Sequence, residues 1–553
     1  MEWPASKLTP LKAEAWQILL QTTNYASVSE KHPGIIKQII RGITHGVPIE
    51  FTGNREINRV CNNLRVEAKD IPKISKVIAD DVAAGKKAGP FSEKPFKYFS
   101  CSPIGCVPKH GTEAIRCIHH LSFPRGGDSI NGSTVEESHE LGSFDRATYF
   151  IKRLGKGCFL IKLDVKAAYK IIPVDPNDWP LLGFKWEGKW YYERVLPFGL
   201  RSSCRLWEMY ATALQHIFEK AVGIKCIVHY VDDFLFVVST LEEGKRNLTR
   251  ALMFAERLGV PFAPDKQIGP VTKLTFLGIE LDTIQMTARL DDSRLERLRL
   301  LFVEWKEKKQ ATIAELHSLE GVLQWCCKVV RPGRSFLSRI RKWRQEQQTK
   351  GEGPHLLTQQ CLADIDWWRT FLSRWNGISL YYDEEWSEAE KLEIFTDACE
   401  LGWGVRFGDK WVKGKWTQEQ WNRASNPTRV DELTGEKRRS MPFLELLAVV
   451  IACSSFGRYW QGRKIRFRVD CSPVVANVNK RSSPADRAQG PLRHMATLAA
   501  EHGFDFDCVW IKGAKNIAAD ALSRDNMCAF IKEVPSAETA MSEYIPPPAF
   551  ELM

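Results

Sequence analysis

With 553 residues, 44% of them hydrophobic and 11% aromatic, the chain has enough apolar surface to bury the cores of three or four domains, which excludes a disordered or fibrous sequence. Its 78 Lys and Arg against 67 Asp and Glu leave a net charge of +11, a balance that suits polyanionic partners but that ordinary proteins also reach. Fifteen cysteines without regular spacing read as free thiols of a reducing compartment; MEWPASKLTP lacks the basic-then-apolar pattern of a leader, and no run of about 18 uncharged apolar residues offers a span, so the sequence predicts an intracellular protein, cytoplasmic or nuclear, neither secreted nor membrane-bound.

In chain order, residues 1–92 read as a partly helical N-terminal extension, with an Ala/Lys-rich helix that Gly and Pro stop near AAGKKAGPF. Residues 93–285 change to short β-branched and aromatic runs separated by helices, the pattern of an α+β domain. Residues 286–385 are mainly helical, with Leu295, Leu298, Phe302 and Trp305 at helical spacing before the polar break QEQQTKGEGP. After the acidic linker YYDEEWSEAE, residues 390–525 form an α/β domain, and residues 526–553, ending in YIPPPAFELM, read as a Pro-rich tail or junction.

In CFLIKLDVKAAYKI, the apolar run Phe159, Leu160, Ile161 and Leu163 makes a strand that ends on Asp164. Further on, IKCIVHYVDDFLFVVS reads as a hairpin with Tyr230, Val231, Asp232 and Asp233 at its tip. Adjacent carboxylates in an apolar hairpin repel each other. Two Mg²⁺ ions roughly 3.5–4 Å apart would compensate them while performing phosphoryl transfer, with hard oxygen ligands supplied by Asp164 and Asp232. An Asp-Asp dipeptide taken alone more often merely closes a turn.

The order of motifs separates these readings. The Asp-ended strand, LPFGLRSSCRLWE, YVDD and FLGIEL follow one another as in the palm of reverse transcriptases, which residues 45 to about 525 resemble. The resemblance implies that Asp164 and Asp232 bind the metals, that Asp233 supports them, and that the carbonyl of Val165 completes one shell. It places Tyr169 beneath the incoming sugar, where it would block a 2′-hydroxyl and select deoxynucleotides. In SPIGCVPKHGTEAIRCIHHLS it gives Lys109 and Arg116 the triphosphate, Arg suiting bidentate contact and Lys acting as a point charge. Phe198 would lie on the nascent base pair beside the Gly199 turn, Lys266 near the pyrophosphate, and Phe276, Leu277 and Gly278 in the primer grip. TLEEGKRNLTRALMFAERLG carries a Thr240 to Glu243 capping box and stops at Gly259.

A second set of acids follows. Asp397 lies in KLEIFTDACELGWGVRF, Glu445 in MPFLELLAVVIAC, Asp470 in KIRFRVDCSP and Asp520 in NIAADALSR. Delivered from strand, helix, strand and helix, they resemble the ribonuclease H fold, whose carboxylates hold two Mg²⁺ ions. Many ribonucleases H also carry a histidine shortly before the last aspartate. None lies between Trp510 and Asp520 here, and cleavage is expected to persist at a lower rate. Between the two sets, VVRPGRSFLSRIRKWRQ interleaves Arg331, Arg334, Arg339, Arg341, Lys342 and Arg344 with Phe336 and Trp343; it reads either as a strip tracking a nucleic-acid backbone or as a solvated helix face over buried aromatics.

Together these resemblances imply an α+β right-hand polymerase of fingers, palm and thumb, then a helical thumb/connection region and an α/β ribonuclease H-like domain. The implied function is RNA-directed DNA polymerisation with ribonuclease H cleavage. It would use two Mg²⁺ ions per site, Mn²⁺ substituting, with an RNA template, a DNA primer, the RNA–DNA hybrid and deoxynucleoside triphosphates as partners. HGVPIEFTG, AGKKAGPF, CSPIGCVPK and LPFGLRSS look most like DIRS-type retroelements, implying association with an element-encoded recombinase; gypsy-like and pararetroviral enzymes come next. The alternatives are an inactive or domesticated nucleic-acid-binding subunit and an RNA polymerase with a similar palm.

Overall fold

The computed structural model describes residues 8–28, 34–108, 113–125, 127–135, 141–351, 353–374, 378–380, 394–430, 437–483 and 485–547. The chain divides into two compact units, Met1–Leu274 and Thr275–Met553.

In the first unit the strand Phe159–Asp164 is central to a four-stranded sheet, ordered Ile268–Val271, Phe159–Asp164, Asp233–Val238 and Ile227–Tyr230, with every neighbour antiparallel. Leu160, Ile161 and Leu163 are all fully buried although successive side chains point to opposite faces, so both faces are covered. Each such side chain contributes about 1.5–3 kcal/mol. Helices Phe144–Leu154, Ser203–Ile217 and Leu241–Leu258 pack against this sheet. The last is capped at Thr240, whose hydroxyl accepts from the Glu243 amide, while the Glu243 carboxylate reaches back to the Ser239 amide rather than to that of Thr240. Fingers-type elements precede and interrupt the palm: a hairpin of Ile104–Pro108 with Ile115–His119, and a three-stranded sheet of Lys87–Phe91, Lys189–Glu193 and Gly183–Trp186.

Among the described residues of 1–92, expected as an extension, much of the apolar surface shares the palm's core. Trp16, Ile39, Ile43, Val47 and Ile49 belong to the same buried cluster as Leu163, Trp207 and Phe234. The Trp16 indole donates to the Leu258 carbonyl at 3.0 Å, and the Lys12 amide donates to that oxygen as well.

In the second unit, helices Asp292–Lys306, Ile313–Cys326, Ser338–Gln348 and Gln359–Arg374 form the helical stretch, and Leu295, Leu298, Phe302 and Trp305 are the buried positions of the first of them. A five-stranded sheet follows, ordered Lys410–Gly414, Trp403–Phe407, Ile394–Ala398, Lys464–Val469 and Asp505–Trp510. Its first three strands are antiparallel, and the last two join the Ile394 strand in parallel. Helix Met441–Phe456 lies against it with every residue from Phe443 to Phe456 buried. With Gly457–Tyr459 this helix is long and apolar enough to cross a membrane by length and composition, but it is apolar all round because it is a core helix, mostly enclosed by its own unit.

Residues 526–547, read from the sequence as a Pro-rich tail or junction, are bound to this domain. Helix Met527–Glu533 buries Phe530 beside Trp411, the Trp411 indole donates to the Glu538 carbonyl at 2.8 Å, and Tyr544 lies 4.8 Å from the Trp403 ring. Ending the chain after residue 525 would remove the buried Phe530 and Val534. The expected cost is about 3 kcal/mol, or roughly 5–10 °C in the melting temperature of this unit. Calorimetry of the two chain lengths checks it, and coincident transitions would show the segment to be dispensable.

Candidate active sites

Asp164 ends its strand directly opposite Asp233, and Asp233 faces Tyr230 across the hairpin. The Val165 amide donates to the Asp232 carbonyl at 2.9 Å, fixing the tip against the strand end. Val231, at the turn, has φ 54°, a left-handed conformation that a β-branched residue rarely adopts. Such a residue costs about 1–3 kcal/mol, and it is held by the Trp207 indole, which donates to the Val231 carbonyl at 2.8 Å. Burial, then Asp164 and Asp233, push the Asp232 carboxyl up to about 6. Two lysines offset the other acids: Lys266 Nζ lies 2.8 Å from Asp164 Oδ1, and Lys162 Nζ lies 3.2 Å from Asp233 Oδ1. Lys266, which the resemblance put near the pyrophosphate, here pairs with Asp164. Lys162 was not singled out, although it sits two residues before Asp164 and so points to the same face of the strand.

Beside the acids, the Tyr169 and Phe198 rings are 5.3 Å apart, and the Arg116 guanidinium lies 4.9 Å over Phe198. Three of the proposed nucleotide contacts therefore form one continuous surface, while Lys109 lies outside the described residues. Gly199 has φ +111°, and a Cβ there would meet the His119 carbonyl oxygen at 2.0 Å. Gly199→Ala is therefore expected to displace Phe198 and to lower nucleotide incorporation on the order of a hundredfold, read by steady-state extension kinetics.

The expected primer grip belongs to the second unit. Leu277 and Gly278 have φ 51° and 75°, so both central residues of this turn are left-handed, the mirror-image hairpin geometry. The Trp325 indole donates to the Leu277 carbonyl at 3.2 Å, and Arg294 lies 4.9 Å over the Trp325 ring. Phe276 is fully buried and serves the core, which corrects its assignment as a contact residue. In the basic strip, part of the charge is paired within the helices. Arg341 and Arg344 both bind Glu320, at 2.6 and 2.8 Å, Arg339 lies 3.8 Å from Asp364, and Phe336 and Trp343 are buried. Those three arginines brace the helices, yet Arg341 stays exposed beside Arg334 and Lys342 on the strip; the Arg331 side chain lies outside the described residues.

In the five-stranded domain, Asp397 lies in its strand opposite Gly404, Glu445 near the start of helix Met441–Phe456, and Asp470 just past strand Lys464–Val469. One carboxylate oxygen from each of the three lies within 4.8 Å of the other two. Asp397 accepts from the Ser523 hydroxyl at 2.6 Å and from the Asn516 side-chain amide at 3.3 Å. Burial, opposed by the Ser523 hydrogen bond and reinforced by Asp470 and Asp520, pushes the Asp397 carboxyl up to about 6. Burial, then Asp397 and Asp470, push Glu445 up to about 9, and Glu445 Oε2 is buried without a hydrogen-bond partner. An orphaned carboxylate oxygen among repelling acids fits a hard divalent cation.

Asp520 is not one of this trio, its carboxylate being paired with Arg524 at 2.7 Å, yet it lies near enough to push the Asp397 and Asp470 carboxyls up. Asn516 and Ser523 were not singled out from sequence. They fall four residues before and three after Asp520 on helix Ile517–Ser523 and its cap, so helical spacing in NIAADALSR would have placed them on its face. That helix sits close on the sheet because Gly404 is bare: a Cβ there would meet Leu522 Cβ at 2.5 Å.

A strand-ending aspartate facing an Asp-Asp hairpin tip defines a palm-type domain. Residues 110–281 match the family described as reverse transcriptase (RNA-dependent DNA polymerase), so this part of the chain is a reverse transcriptase domain. Among curated proteins the chain is similar to the enzymatic polyprotein of carnation etched ring virus, 24% identical over 414 residues (73% of this chain and 56% of that protein). It is also similar to that of cauliflower mosaic virus strain Strasbourg, 25% identical over 398 residues (72% and 54%). The chain thus spans about half the length of the curated relatives it matches. Among solved structures it is similar to a foamy viral protease-reverse transcriptase in complex with double-stranded DNA, at 15% identity and TM-score 0.49, covering 90% of this chain and 82% of that one.

Proposed function

We propose that the chain is an RNA-directed DNA polymerase that also cleaves the RNA strand of RNA–DNA hybrids, both by two-metal-ion phosphoryl transfer. The observation that carries the reading is the strained hairpin tip that sets Asp232 and Asp233 against Asp164 inside a reverse transcriptase domain. Mg²⁺, with Mn²⁺ as substitute, held by Asp164, Asp232 and the Val165 carbonyl in one site and by Asp397, Glu445, Asp470 and Asp520 in the other, would lower the pKa of the attacking hydroxyl or water and neutralise phosphate charge.

The protein's own groups do the rest. Lys266 and Lys162 hold Asp164 and Asp233 in place, the Arg116 guanidinium offers bidentate contact to a triphosphate, and Tyr169 refuses a 2′-hydroxyl, which favours deoxynucleoside triphosphates over ribonucleotides. Ser523 and Asn516 aim Asp397 at its neighbours. The substrates are an RNA template, a DNA primer and their hybrid. The motif set HGVPIEFTG, AGKKAGPF, CSPIGCVPK and LPFGLRSS supports a DIRS-type element and a companion recombinase, whereas the relatives named above are viral polyproteins. Fifteen free thiols suit a reducing compartment, which supports copying in the cytoplasm or nucleus.

Extension of a DNA primer on an RNA template, with cleavage of labelled RNA in the hybrid, tests both activities. Binding without any Mg²⁺-dependent product would establish the inactive nucleic-acid-binding alternative, and preferential ribonucleotide incorporation the RNA polymerase one.

A further inference from the structure

A buried ionic network stands beside the nucleotide-facing aromatics, and none of the roles above uses it. Lys87 Nζ lies 2.6 and 2.8 Å from the two Glu193 carboxylate oxygens and 3.2 Å from Asp81 Oδ2, which also takes Lys170 Nζ at 2.5 Å. Asp81, Lys87 and Glu193 are 7%, 4% and 3% exposed. The four residues come from four elements: helix Ile71–Ala83, strands Lys87–Phe91 and Lys189–Glu193, and the short helix Ala168–Ile171 that carries Tyr169. Lys87, Lys170, Glu193 and His119 line one small cavity with Pro197 and Phe198. Burial pushes the Asp81 carboxyl up, but Lys87 and Lys170 outweigh it and hold the group below the usual carboxylate range.

Desolvating four charges offsets most of their attraction, so apolar residues would join these elements at least as tightly. What an ionic network adds is direction, because charged hydrogen bonds accept few arrangements. Direction matters at this point of the chain. Ala167, the cap of the short helix, has φ 54°, a conformation that persists only where the surroundings impose it. The Tyr169 hydroxyl is hydrogen-bonded to Cys204, so the ring is tied at its tip, and its other anchor is the backbone that Lys170 continues.

Resting on the polymerase reading, we infer that Lys170 is a positioning residue: its bond to Asp81 fixes the turn that carries Tyr169, and so sets how strictly the site refuses a 2′-hydroxyl.

Single-nucleotide incorporation by wild type, Lys170→Met, Lys170→Arg and Asp81→Asn tests this, with a deoxynucleotide and its ribonucleotide counterpart each titrated for kcat and KM. Lys170→Met is expected to lower the deoxy-to-ribo ratio of kcat/KM on the order of tenfold, mainly through a lower KM for the ribonucleotide, the scale of a modest positional error. Lys170→Arg keeps the charge and should restore the ratio. Asp81→Asn should reproduce the effect of Met and stands in for it if Lys170→Met does not fold. A parallel fall for both nucleotides, leaving the ratio unchanged, would be the mark of a purely structural role and overturns the inference. Wild type that incorporates neither nucleotide overturns the polymerase reading and this inference with it; wild-type activity with an unchanged ratio in both variants overturns the inference alone.

Discussion

Asp232→Asn is expected to lower primer extension about a thousandfold or more while leaving ribonuclease cleavage by the same chain within about twofold. Asparagine matches the shape of aspartate, so the strained tip at Val231 and the Val165 amide bond to the Asp232 backbone survive, and only the charge is lost. Because this carboxyl is already pushed up to about 6, extension by wild type should also fall as pH drops through about 6, when a proton takes the place of a cation. Asp233→Asn should cost less, since Lys162 already neutralises that acid from within the strand. Measuring extension and hybrid cleavage on one preparation decides the matter. Extension that survives in Asp232→Asn, or both activities failing together, would sink the assignment of separate acid clusters.

The acids that carry this prediction were legible because each ends or interrupts an apolar run. A strand such as FLIKLD announces where it stops, and the residue at the stop is the one presented. Partners were not legible, for a physical reason. Arg341 and Arg344 read as a phosphate strip because their shared acid, Glu320, lies 21 and 24 residues earlier on another helix, and local sequence says nothing about which charge will face them. Burial of the N-terminal segment was hidden in the same way. Trp16 and Leu19 show helical spacing, but the carbonyl that accepts from the Trp16 indole belongs to Leu258, 242 residues further on. The strap after residue 525 was misread because proline composition suggests a linker, whereas Phe530 and Tyr544 are bulky rings that find Trp411 and Trp403. Lys170 went unnoticed because a lysine after a tyrosine carries no pattern, and its meaning comes from Asp81, 89 residues earlier.

The second cluster offers a sharper test, since function and stability should move in opposite directions there. Glu445→Gln is expected to reduce hybrid cleavage about a thousandfold, as Asp397→Asn should too, while polymerisation persists. In the absence of divalent cations, the same Gln substitution should stabilise the domain. In the folded chain the Glu445 carboxyl titrates near 9 because it is buried beside Asp397 and Asp470, whereas an unfolded glutamate titrates at about 4.3. Between those values the folded state holds a proton that the unfolded state has released, so wild-type stability falls as pH rises across that window. Glutamine cannot ionise, and its advantage should therefore be small near pH 5 and grow toward pH 8.5. Adding Mg²⁺ should reverse the order at high pH by raising the melting temperature of wild type more than that of the variant. Thermal melts with chelator and with Mg²⁺, at three pH values, read all of this. Parallel pH slopes for the two proteins would mean that Glu445 does not share its charge with Asp397 and Asp470, and the reading of these carboxylates as a cation site would go with it. The mutual repulsion that weakens the empty domain is what makes it bind a cation, so one substitution should relieve the first and abolish the second.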